Sequence, residues 1–77
     1  MRKPKVADQT WSRIYHSRVA EVYESNEDNF YYKVVLEGMR PKYFYGELAF
    51  QNYQRYVHDF EMATMYSQDY DMMKKYR

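Results

Sequence analysis

The chain has no cysteine, two glycines and two prolines among 77 residues. Without cysteine there is neither a disulfide nor a thiolate zinc site, the two staples on which very small domains commonly rely. Charge is nearly balanced, with twelve basic against eleven acidic side chains and a net charge of +1. That balance gives no general attraction to nucleic acid or to anionic lipid. No apolar run approaches the roughly 18 residues that span a bilayer. Met1-Arg2-Lys3-Pro4-Lys5 is basic but is followed by no apolar stretch, unlike a secretory signal. These readings predict a soluble cytoplasmic protein with no membrane partner.

Motifs of chemistry are equally sparse. Two isolated glycines cannot form a dinucleotide fingerprint, a phosphate-binding loop or a nucleophile elbow. No His, Asp or Glu spacing matches a zinc or calcium site. The two histidines, His16 and His58, read as surface side chains, His58 lying opposite the apolar stripe of a predicted helix. Asp69 and Asp71 sit in a polar tail, where solubility accounts for them. The expectation is a protein without catalytic residues, cofactor or metal.

What the chain does have is tyrosine, eleven of them against four phenylalanines and one tryptophan. A buried tyrosine seeks a hydrogen-bond partner for its hydroxyl, and a half-wet one is favoured at contact surfaces. At this length only about 60 to 65 percent of the unfolded surface is buried, so the chain makes one small domain, 1–77, without a deep cleft. The segments 1–8 and 68–77 are expected as flexible ends.

Periodicity predicts an α+β fold. Phe30, Tyr32, Val34 and Leu36 form an apolar face at period two within 29–37, the strongest strand signal. Residues 11–24 also match helical spacing, but their Val, Ile, Tyr and Thr content and the need to pair with 29–37 favour a strand. Gly38 and Pro41 bracket a turn into a short aromatic strand at 42–46. The resulting architecture is a three-stranded antiparallel meander, about 11–24, 29–37 and 42–46. An amphipathic helix, about 47–66, packs on one face through Ala49, Tyr53, Tyr56, Val57, Phe60, Ala63 and Thr64. Phe30, Val34, Leu36, Val57 and Phe60 are the expected core centre.

Two surfaces remain as contact candidates. The outer helix face and tail carry Met62, Met65, Tyr66, Met72 and Met73, flexible side chains suited to an adaptable protein-binding surface or a self-association seam. The other is the uncovered sheet face with Tyr31, Lys33, Tyr43 and Tyr45, whose rings and cations resemble a platform for single-stranded nucleic acid. The reading favoured by composition is a non-catalytic protein-binding accessory or inhibitor that meets a protein partner or a second copy. Its size and composition suit a phage-encoded, host-modulating protein. A nucleic-acid-binding module using the aromatic sheet is the alternative.

Overall fold

The computed structural model describes residues 4–75, with the side chains of 4–64. A short 3-10 turn, Val6–Asp8, leads into strands β1 (Trp11–His16), β2 (Ala20–Ser25), β3 (Tyr31–Leu36) and β4 (Lys42–Tyr45), followed by helix α1 (Ala49–Lys75). The fold is α+β, one antiparallel sheet in the order β1-β2-β3-β4 with a C-terminal helix.

The sheet has four strands rather than three, because 11–24 folds back on itself. Fully extended, that segment would reach about 46 Å at 3.3 Å per residue, more than twice the length of β3, and half its backbone would lack a partner. A turn closed by the Ser17 N–H donating to the Ala20 carbonyl at 2.8 Å divides it into two strands that pair with each other. The helix is also longer than its apolar stripe, running on to Lys75.

The main core lies between sheet and helix. Ala20 and Val22 from β2, and Tyr32, Val34 and Leu36 from β3, meet Ala49, Tyr53 and Val57 of α1, with Phe44, Tyr56 and Phe60 partly buried against them. Val34, Leu36 and Val57 therefore stand where the period-two and helical patterns place them. Phe30 does not. It precedes β3, adopts a left-handed backbone (φ 58°) and is 52% exposed. Its carbonyl accepts the Gly46 N–H at 3.0 Å, so it belongs to the turn that feeds the sheet. Phe60 is half-buried at the margin of the core, not at its centre.

A second cluster occupies the far side of the sheet. Tyr31 is fully buried there, its ring edge-on to Trp11 at 5.2 Å and to Tyr45 at 5.3 Å. Register explains the gathering, since Arg13, Tyr23, Lys33 and Tyr43 form one row across all four strands and Tyr31 pairs with Tyr45.

The N-terminal segment is tied to the β2–β3 loop by polar contacts. The Thr10 amide and hydroxyl donate to the Glu27 carboxylate at 2.6 and 2.8 Å. The Asn26 N–H returns a bond to the Thr10 carbonyl at 3.0 Å. Gln9 donates to Asp28 at 2.8 Å and accepts from the buried Ser25 hydroxyl. The latch brings Pro4 over the far face, where its carbonyl accepts the Tyr31 hydroxyl at 3.0 Å.

Thr10 holds the Glu27 carboxyl below its ordinary range, chiefly through the backbone N–H. A carboxyl depressed in the folded state contributes stability above its unfolded pKa, and loses it as pH falls through the folded value. The latch should therefore weaken as pH falls below the ordinary glutamate range. The Thr10 amide proton, followed by NMR, should titrate with Glu27 and stop titrating in Glu27→Gln. An amide shift that ignores pH in the wild type would contradict the bond.

Candidate functional site

The helix covers only part of the sheet. It packs chiefly against β3 and β4 and also buries Ala20 and Val22 of β2, and a groove of about 630 Å³ opens beside it toward β1. Tyr15 and Val22 form the strand side of the groove, with Tyr53 and Val57 at its base on the helix. Gln51, Gln54, Arg55, His58, Asp59 and Glu61 line the helix side. A second hollow of about 320 Å³ continues along the same flank, lined by Ser17, Arg18 and Val19 of the β1–β2 turn and by His58, Glu61, Met62 and Thr64. His58 and Glu61 border both, so one channel follows α1 from Gln51 to Thr64.

A bulge in β1 makes this surface. Arg13 pairs with Tyr23, and Tyr15 pairs with Val22, leaving Ile14 as the extra residue. Two residues beyond Arg13, Tyr15 would share the far face in a regular strand. The extra residue turns it onto the helix side instead, in the row Tyr15, Val22, Val34, Lys42. There its hydroxyl donates to Glu61 Oε2 at 2.7 Å, clamping the edge strand to the helix. That bond raises the Tyr15 pKa above its usual value by favouring the neutral phenol as donor. Ile14 and Tyr15 both remain more than 40% exposed, and of the two it is Tyr15 that lines the groove.

Of the residues expected on the outer helix face, Met62 is 41% exposed and borders the channel. The side chains of Met65, Tyr66, Met72 and Met73 lie outside the described residues. On the sheet face the structure brings Tyr31, Lys33, Tyr43 and Tyr45 together but also adds Trp11 and Tyr23, which periodicity within one segment could not place. Tyr31 is a buried anchor there and offers no surface. The Lys33 ammonium lies over the Tyr23 ring at 4.6 Å and the Trp11 ring at 5.3 Å, so the cation is engaged with two of the rings. Tyr23 in turn donates to Glu21 at 2.5 Å, which lowers the carboxyl's pKa.

His16 and His58 lie on exposed surface. Among the described residues no group of three His, Asp or Glu side chains is placed to hold a metal, and no helix is long and apolar enough to cross a membrane. No family model matches the chain, and no curated protein or solved structure matches it either.

Proposed function

We propose that the chain is a non-catalytic protein-binding module, acting as an accessory or inhibitor protein in the cytoplasm, and that its contact surface is the channel along α1. The observation that carries this reading is the groove between α1 and the edge strand β1, with Tyr15 and Met62 exposed along it. Channels of this form, with an apolar floor and polar rim, accept an amphipathic helix. The Tyr15 to Glu61 clamp supports the reading, because it presents an already ordered surface and so lowers the entropy cost of association. A phage-encoded modulator of a host protein is one form such a module takes.

The far sheet face supports nucleic-acid binding less well, since its rings pack on one another and its lysine already spans two of them. The test is a His58→Glu, Met62→Glu double variant, used as bait in parallel with the wild type on nuclease-treated extract of the native cell. Both positions are exposed, so circular dichroism should show an unchanged fold. Two carboxylates brought into a dry interface cost several kcal/mol, and the partner bound by the wild type should be lost. Capture that is undiminished in the variant would remove the channel from consideration. Capture by the wild type that vanishes only on nuclease treatment would favour the sheet face.

A further inference from the structure

Three large apolar side chains stand exposed where the β2–β3 loop meets the connection from β4 to α1. Phe30 is 52% exposed, Leu48 61% and Phe50 47%. Scattered apolar exposure is ordinary, but a group gathered at one end of a molecule has the composition of a contact site. Backbone bonds do the gathering. The Gly46 N–H donates to the Phe30 carbonyl and the Ala49 N–H donates to the Gly46 carbonyl, each at 3.0 Å, so Leu48 and Phe50 follow directly from the junction that holds Phe30. The Phe50 ring lies edge-on to Tyr32 at 6.4 Å and to Tyr53 at 5.5 Å, at the margin of the main core.

Phe30 keeps its place in a left-handed backbone (φ 58°), a conformation that glycine or asparagine adopts at lower cost. Its ring is half in water, so packing gives little return for the strain. A bulky side chain held at a strained, exposed turn points to a role in contact.

The charge around the three is of one sign. Segments 24–30 and 46–52 carry Glu24, Glu27, Asp28 and Glu47 and no lysine or arginine. Glu24 pairs with Tyr32 across β2 and β3. Burial raises the pKa of Tyr32 and of Tyr53 and the Glu24 charge adds to the rise, which sets that carboxylate on the Phe50 side of the patch. Lys5 lies on the N-terminal segment latched to the β2–β3 loop, and among the described residues no base forms an ion pair with any of the four carboxylates.

An acidic rim repels anionic lipid and nucleic acid. It also opposes a two-fold pairing of the patch with itself, which would set like charges abreast. We propose that this end of the molecule is a second contact site, separate from the groove, and that it takes a protein segment whose large apolar side chains are flanked by lysine or arginine. A helix with a basic polar face is the compact form of such a segment.

The test uses two synthetic helical peptides with the same leucine face, one carrying lysine and the other glutamate on its flanks. The lysine peptide should move the Phe30, Leu48 and Phe50 amide signals in an NMR titration, and should bind less tightly as salt is raised. The glutamate peptide should leave those signals in place. Phe30→Asn, which suits the left-handed backbone, and Leu48→Ser should each weaken the lysine peptide about tenfold, with circular dichroism unchanged. Glu24→Lys with Glu47→Lys should transfer the preference to the glutamate peptide. His58→Glu, Met62→Glu should bind the lysine peptide as the wild type does, because the groove takes no part. Equal binding of the two peptides, amide shifts confined to the groove, or no binding of the lysine peptide overturns the proposal. Shifts at the three amides that grow with protein concentration alone would make a second copy the occupant, and overturn it as well.

Discussion

Tyr53→Ala should lower stability by about 3 to 5 kcal/mol. A domain of 77 residues has about 4 to 12 kcal/mol in all, so the variant should lose about a quarter of that margin or more. Tyr53 is 6% exposed and stacks against Tyr32 at 4.6 Å, at the point where α1 meets β3. Phe50 also closes on it edge-on at 5.5 Å. Removing the ring leaves a void bordered by Val22, Val57 and Tyr32, side chains fixed by strand pairing and helix geometry, so little collapse is available to reduce the cost. Phe60→Ala offers the comparison. Phe60 touches the same cluster but is half-buried, and its loss should cost about 1 to 2 kcal/mol. Urea denaturation followed by circular dichroism separates the two. A larger cost for Phe60 than for Tyr53 would mean that the helix is rotated from the position described.

The helix stripe and the central strand were legible because each rests on one local period. Tyr53 and Val57 follow the 3.6-residue repeat, and Tyr32, Val34 and Leu36 follow the two-residue repeat, with no glycine or proline to disturb either. Phe30 shows the limit of that method. It continues the alternation by one residue, yet the chain is already turning there, and a positive φ on a phenylalanine has no signature in composition. The turn between β1 and β2 was hidden for a related reason. Ser17-Arg18-Val19 lacks the Gly, Asn or Pro that marks most tight turns, and only the length mismatch between 11–24 and its partner strand pointed to a fold-back.

The candidate channel was less legible still, because it depends on a bulge and on which strands a helix happens to cover. Tyr15 and Arg13 are two apart in sequence and on opposite faces in space. No periodic reading of 11–16 gives that result. His58 was legible as a surface side chain, but its place on a groove required knowing that α1 stops short of β1.

Tyr31→Ala should be as damaging as Tyr53→Ala, about 3 to 5 kcal/mol, although Tyr31 points away from the helix. Its ring is fully buried between Trp11, Tyr43 and Tyr45, and among the described residues no other on that face is so enclosed. Burial rather than any charged neighbour is the main cause that raises its pKa, as expected for a phenol removed from water. Tyr31→Phe isolates the hydroxyl, which donates to the Pro4 carbonyl, and should cost only about 1 kcal/mol. The single tryptophan makes the site directly visible. Trp11 loses its edge-on neighbour in Tyr31→Ala, so its native-state emission should shift to longer wavelength as water reaches the indole. Tyr53→Ala, on the opposite side of the sheet, should leave native-state emission unchanged where folded protein remains. Tyr31 and Tyr53 belong to clusters on opposite faces of the sheet, so their separate costs should add closely. A Tyr31→Ala protein with the wild-type urea midpoint and unshifted tryptophan emission would show that the far face is a solvated platform, open to ligands, and not the second core of a two-sided sheet.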